Sequence, residues 1–299
     1  MFIVQNIRNF DLVSDMNAQI LDGVKIAETI RRRVAKEVRE LCQSHNTKLG
    51  LTVILVGTDP ASELYVKLKK RDCVKAGINC DVLKLPASIE QSQLIDQIEK
   101  LNVDPSVHGI LLQLPLPSHL HTPDIVNCID PVKDVDGITP LNVGKLTLRE
   151  PSHRCCTPKG VITLLEHTDV KLLGADAVVV GASNHVGRPM CLELLLRGSS
   201  VTVVHKYSKN SQAHTSQADI LISATGVAGL ITRDWVKPGA VVIDVGIETQ
   251  GDGSLKGDVE FDEVKYIASW ITPVPGGVGP MTRVSLLQNL LDAAGLILN

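Results

Sequence analysis

The stretch DAVVVGASNHVGRPMCLELLLRGSSVTVVHK, Asp176 to Lys206, admits few folds. It opens on a short apolar, β-branched run, Ala177 to Val180, of the kind that a strand buried on both faces of a parallel sheet requires. Beyond Gly181 the apolar period changes. Met190, Leu194 and Leu195 recur at helical spacing, Gly198 follows as a helix stop, and Val201 to Val204 is a second apolar strand. This is a βαβ unit, which commits the chain to parallel strands joined by a crossing helix.

The first turn of that unit reads Gly181-Ala182-Ser183-Asn184-His185-Val186-Gly187-Arg188-Pro189, with Ser183 where the second glycine of GxGxxG would stand. Gly181 allows the tight turn, Gly187 allows close helix packing, and the free N–H groups of the new helix are expected to face an anion. Pro189 fits a first helical turn, where its missing N–H costs little. An ordinary strand-to-helix turn without a ligand has the same pattern. The second strand ends in His205-Lys206-Tyr207-Ser208, where an NAD site offers Asp or Glu to the ribose hydroxyls. Cations and hydroxyls suit a 2′-phosphate instead, so NADP is predicted over NAD, with Lys206 as the main phosphate contact and His205 or Ser208 assisting. A solvated basic strand end is the alternative.

A chain of 299 residues suggests two domains, and 44% hydrophobic with 21% charged residues is ordinary globular composition. No apolar run reaches membrane-spanning length. A net charge of -3 without a dense Lys/Arg patch argues against nucleic acid as a partner, so small-molecule chemistry is expected, with neither nucleic acid nor membrane. The seven cysteines contain no CxxC pair, and adjacent Cys155 and Cys156 read as buried thiols. His119 and His121 lack a matching Cys, His or acidic cluster. No metal and a reducing, cytoplasmic compartment are predicted. Met1 to Asp15 lacks the basic start and long apolar core of a signal peptide, and reads as a disordered extension or the product of an upstream start codon.

Taken in order, a short strand around Ala18 to Leu21 precedes a helix capped by Asp22, with Val24, Ala27, Ile30, Val34, Val38 and Leu41 on one face. The strand Leu51 to Val56, a helix from Ala61 to Ala76 closed by Gly77, the strand Cys80 to Leu85 and a helix opened by a Ser88-to-Gln91 capping box follow, then a buried strand from His108 to Leu114. Such alternation predicts a parallel α/β sheet. Pro115 to Pro158 is rich in proline, aspartate and glycine, and loops this long usually carry function. Thr157-Pro158 reads as the cap and first turn of a helix through Leu165. After the dinucleotide unit come a helix near Gln212, the strands Asp219 to Ala224 and Ala240 to Val245, a loop from Thr272 to Pro280 too rich in glycine and proline for regular structure, and a helix from Thr282 to Leu296 that returns to the first domain. The fold class is α/β, with two α/β domains, the second Rossmann-like. Residues 16–148 form the first domain with 280–299 packed back on it, and residues 149–279 form the second.

Four segments carry candidate chemistry. Tyr65 and Lys69 project from one helix face, where an aromatic stem and a snorkelling lysine are the plain alternative. Gln113 ends a strand just before Pro-Leu-Pro, where open α/β sheets place ligands. Asp134-Val-Asp136-Gly137 suits either a site or an Asx turn. Gly276 and Gly277 let backbone approach a flat ligand, or serve a bare connector.

Jointly, the stretches VGTDPASELYVKLK, GILLQLPLP, DPVKDVDGITPLNVGKL, VVVGASNHVGRPM, GAVVIDVGI, GDV and ITPVPGGVGPMT resemble the methylenetetrahydrofolate dehydrogenase/cyclohydrolase family, in the family's order from about Ala18 onward. The resemblance implies oxidation of 5,10-methylenetetrahydrofolate with NADP, then hydrolysis of the methenyl product to 10-formyltetrahydrofolate, a one-carbon donor for steps such as purine biosynthesis. It implies that Lys69 handles the proton in hydrolysis, that Gln113 holds Lys69 and polarises the folate, that Tyr65 stacks on the folate rings, and that Asp136 reads the pterin edge. Gly276 and Gly277 would close over the substrate, and cofactor contacts fall on Gly181, Ala182, Ser183 and Ile247 with Thr225 and Gly226 nearby. A homodimer is implied too. Some members carry Arg directly after the first glycine, where this chain has Ala182, so phosphate recognition rests on Lys206 and its neighbours. The competing readings are a dehydrogenase without the hydrolytic step and a non-catalytic dinucleotide sensor.

Overall fold

The computed structural model describes residues 17–298, so the extension expected over Met1 to Asp15, and the Met16 that follows it, lie outside the described residues. A first, three-stranded sheet forms around the continuous apolar run of β2 (Gly50–Val56), which pairs in parallel with β3 (Asn79–Leu85) and β4 (Gly109–Leu112). Helices cover both faces because both faces of β2 are apolar. One face buries Val34 and Val38 of α1 (Gly23–Ser44) and Val66 and Cys73 of α2 (Pro60–Ala76). The other buries Leu94 and Ile98 of α3 (Gln91–Val103) and Ile125 of α4 (Thr122–Asn127).

Local chemistry sets the helix ends. Asp59 accepts the Ser62 N–H at 2.8 Å, Pro60 occupies the first turn, and α2 stops at Gly77 in the left-handed region. At α3 the expected Ser88-to-Gln91 box is replaced by one shifted two residues on, in which the Gln93 side chain accepts the Glu90 N–H at 3.2 Å. The cause is Ile89, which is buried in the core and closes a turn onto the Pro86 carbonyl, delaying the helix start.

Beyond α5 (Pro140–Thr147), the second domain holds a six-stranded sheet with all pairings parallel. Its elements are α6 (Cys156–Leu165), β5 (Asp176–Val180), α7 (Gly187–Leu196), β6 (Ser200–Val204), α8 (Ser211–Thr215), β7 (Ile220–Ser223) and β8 (Val241–Asp244). A hairpin, β9 (Glu248–Thr249) with β10 (Leu255–Lys256), then leads to α9 (Phe261–Val264) and β11 (Trp270–Ile271). Helix α6 starts at Cys156 rather than being capped by Thr157, whose hydroxyl instead lies 3.0 Å from that of Thr282. The first strand of the chain, β1 (Gln19–Ile20), does not belong with residues 16–148. It pairs with β11 at the edge of the larger sheet, and a two-residue strand carries no pattern that names its partner.

The last helix, α10 (Val278–Leu298), returns to the first domain as the sequence suggests but begins four positions before Thr282. Pro280 sits in its first turn, where an N–H would have no intrahelical partner. Val278, Met281 and Val284 pack in the core of the second domain, while Leu286, Leu287 and Leu290 pack in that of the first. The helix therefore joins the two cores along its length.

Candidate active site

Helix α2 presents Tyr65 and Lys69 on one face, one turn apart. Lys69 Nζ donates to Gln113 Oε1 at 3.0 Å, and Gln113 Nε2 donates to the Leu114 carbonyl at 2.7 Å, which holds the amide oxygen toward the lysine. The Gln113 N–H bonds the Ile54 carbonyl at 2.9 Å, so this side chain is fixed by the sheet ladder itself. Tyr65 is half-buried; burial raises its phenol above the ordinary value and the Arg283 guanidinium opposes that rise. Arg283 Nε also donates to buried Asp72 at 2.7 Å, tying α10 to α2 beside Tyr65. Nothing in the sequence marked Asp72 or Arg283, whose pairing spans 211 residues.

The two aspartates of the DVDG segment divide their work. Asp134 is the Asx-turn residue: its carboxylate accepts the N–H of Gly137 at 2.9 Å, that of Thr139 at 2.7 Å and the Asn142 amide at 2.9 Å. Asp136 is left half-buried, and burial pushes its carboxyl above the usual range. Lys69, the Cys156 thiol and His185 oppose that shift while Asp134 adds to it, so groups of both domains act on this carboxyl. Below it, the Cys156 N–H bonds the Asp136 carbonyl at 3.2 Å, and the Cys155 and Cys156 thiols donate to the Gly137 and Val135 carbonyls, which makes them buried structural thiols. Gly137 has φ 71°, and a methyl group there would lie 2.4 Å from the Arg154 carbonyl carbon. Asn289 of α10 donates to the Val135 and Arg154 carbonyls at 2.9 and 2.8 Å.

Across the cleft, Gly181 has φ 115° and a methyl group on Gly187 would lie 2.1 Å from the Gly181 carbonyl oxygen, which accounts for both glycines. The sequence predicts free N–H groups at the helix start, and here the structure differs. The Ser183 hydroxyl accepts the Val186 and Gly187 N–H groups at 3.2 and 3.3 Å, so a serine at the second glycine position occupies the N–H groups where the helix begins. Arg188 Nε donates to the Ala182 carbonyl at 3.1 Å, and His185 is half-buried with Nδ1 unpartnered.

Thr225 and Gly226 follow β7; the Thr225 N–H donates at 2.7 Å to Asp258, which also accepts the Ser223 hydroxyl at 2.8 Å. Asp258 lies in a stretch that the sequence singled out, but its anchoring of this loop was not visible there. Its neighbour Asp244 is buried and pushed up to about 7, chiefly by that burial, with Asp258 adding to it. Gly226 has φ 70° and open space where a side chain would be, and Ile247 is 42% exposed, so both leave room for a flat group. At the end of β6, the Ser208 hydroxyl accepts the His205 N–H at 2.9 Å and Lys206 Nζ lies 4.9 Å from the centre of the Tyr207 ring, all on an exposed edge. Gly276 has φ 111°, and Gly277 packs so tightly that a methyl group on Gly23 would lie 1.8 Å from its carbonyl oxygen.

The structure thus gathers Tyr65, Lys69, Gln113 and Asp136 in the first domain, and His185 of the glycine turn acts on the Asp136 carboxyl from the second. The open backbone at Gly226 and the cation-and-hydroxyl strand end fit a dinucleotide with a 2′-phosphate. Among the described residues no group of three or more His, Cys, Asp or Glu side chains could hold a metal ion, and no helix is long and apolar enough to cross a membrane.

Comparison with known proteins matches residues 21–136 to the catalytic domain, and residues 155–297 to the NAD(P)-binding domain, of tetrahydrofolate dehydrogenase/cyclohydrolase. Among solved structures, the bifunctional methylenetetrahydrofolate dehydrogenase/cyclohydrolase from Campylobacter jejuni is 45% identical with a TM-score of 0.91, covering 93% of this chain and 99% of that one. The Trypanosoma brucei dehydrogenase-cyclohydrolase, complexed with NADP cofactor and inhibitor, is 36% identical with a TM-score of 0.90, covering 93% and 98%. A 5,10-methylenetetrahydrofolate dehydrogenase from the silkworm Bombyx mori is 38% identical with a TM-score of 0.87, again covering 93% and 98%.

Proposed function

The chain belongs to the tetrahydrofolate dehydrogenase/cyclohydrolase family, and from that premise we propose that it oxidises 5,10-methylenetetrahydrofolate to the methenyl compound with NADP and hydrolyses that product to 10-formyltetrahydrofolate. The observation that carries the reading is the Lys69-to-Gln113 hydrogen bond of 3.0 Å, at the wall that also holds Asp136 and Tyr65.

In the first step the chain mostly positions. The cation formed is delocalised over two nitrogens and needs little acid-base help. Asp136 accepts the adjacent N–H donors of the pterin edge, Tyr65 stacks on the rings, and Gly276 and Gly277 let the last loop close over the substrate. NADP, when bound, supplies the hydride acceptor. Gly181, Ala182, Ser183, Thr225, Gly226 and Ile247 line its place, and Lys206, assisted by His205 and Ser208, meets the phosphate.

Hydrolysis needs a base. Water adds to the methenyl carbon as the C=N π bond opens, Lys69 handles the proton that the water loses, and the C–N5 bond then breaks as N5 takes a proton, leaving the formyl group on N10; Gln113 Oε1 orients Lys69. A sensor would have no use for such a pair. The same reading includes a homodimer, supported by the open edge of β6 with exposed Val203 and Tyr207, and a cytoplasmic role in formyl supply for purine biosynthesis, supported by seven unpaired thiols.

Absorbance after adding methylenetetrahydrofolate with NADP, and separately with NAD, tests the reading. It predicts faster reduction of NADP; folded protein that reduces neither cofactor would refute it.

A further inference from the structure

Helix α7 carries two charged residues: Arg188 is exposed in its first turn, whereas Glu193 is completely buried. Its partner is Arg154, in the segment between the two domains: Nε donates to Oε1 at 2.6 Å and Nη2 pairs with Oε2, a side-on bidentate contact. A buried ion pair is seldom a stabilising choice over apolar residues of similar volume, so its presence calls for a geometric reason.

The surroundings supply one. Arg154 is part of the floor under Asp136: its backbone packs on Gly137, its carbonyl is held by Asn289, and Cys156 two residues later bonds the Asp136 carbonyl. Glu193 lies on the helix whose first residue, Gly187, is pressed against Gly181 of the cofactor turn, about 9 Å along the axis. One rigid path therefore runs from the pterin seat through the guanidinium and carboxylate to the turn that places the dinucleotide. The seat has independent holders within the first domain, Asp134 and Asn289, so this pair adds register across the cleft.

Resting on the function proposed above, we propose that Arg154 and Glu193 are positioning residues for hydride transfer, fixing the folate seat against the cofactor helix, and that hydrolysis does not need them. Hydride transfer is sensitive to placement, with about a hundredfold loss for an ångström of displacement, whereas the Lys69–Gln113 pair lies wholly in the first domain.

The test compares both activities in the parent, in Glu193→Gln, and in the double variant Arg154→Met with Glu193→Leu, which leaves no unpaired buried charge. The expected result is a folded double variant whose dehydrogenase kcat falls roughly ten- to a hundredfold, with a larger deuterium isotope effect, while the cyclohydrolase rate changes less than about twofold. Glu193→Gln, which keeps the shape, should fall between the two and covers the case in which the double variant does not fold. Unchanged dehydrogenase kcat in a folded variant would overturn the proposal, as would parallel loss of both activities. A parent lacking NADP reduction would instead remove the reading beneath it.

Discussion

The two walls of the cleft are built to different standards. The folate wall is over-determined: Gln113 is fixed by the sheet ladder and its own amide contacts, and Asp134 uses both oxygens to shape the loop that leaves Asp136 free. The strand end to which we assign the cofactor phosphate is an exposed edge closed by a short turn, His205 to Ser208. Chemistry that moves a proton needs the first kind of support. Recognition of a terminal phosphate by charge tolerates the second, because a flexible cation can find its partner.

Breaking the stiff wall should cost most. Asp136→Ala is expected to lower kcat/KM for both steps by about a hundredfold or more, since the pterin donors lose their acceptor. In the parent, folate affinity should weaken as pH falls through the elevated Asp136 value, because only the carboxylate accepts both donors. Asp134→Ala should destabilise the fold by about 3 kcal/mol, read from denaturant unfolding, because it strands the buried Thr139 N–H and removes the bonds from the Gly137 N–H and the Asn142 amide. On the loose wall, Lys206→Glu should raise the KM for NADP roughly tenfold and leave NAD nearly unchanged; equal effects on both cofactors would place the phosphate elsewhere.

The smallest effect concerns Asp244, whose folded value of about 7 lies above the reference 3.8. The folded state keeps a proton that the unfolded chain releases, so this group favours folding at low pH and loses that contribution as pH rises from about 4 to about 7. The melting temperature of the parent should fall relative to that of Asp244→Asn as pH rises across that window, and the two should run parallel above it.

Legibility followed the same division. The βαβ unit, the parallel sheets and the pairing of Tyr65 with Lys69 rest on local period and spacing, which one sequence displays. Partners distant in sequence do not show there: Asp72 with Arg283, Arg154 with Glu193, and β1 with β11 are set by packing, and neither residue of β1 reveals its sheet. Ser183 failed differently. Its place at the second glycine position is plain in the sequence, but its hydroxyl takes the very N–H groups expected to face an anion. The DVDG segment left open which aspartate shapes the turn, and only the hydrogen bonds of Asp134 separate their roles.

We propose that one site runs both steps with Lys69 committed to the second. The most direct test follows NADPH and the methenyl compound together in Lys69→Ala protein. NADPH is expected to form still while the methenyl signal builds and persists, its enzymatic hydrolysis reduced by about a hundredfold or more. Clearance of the methenyl compound at the parent rate would contradict it.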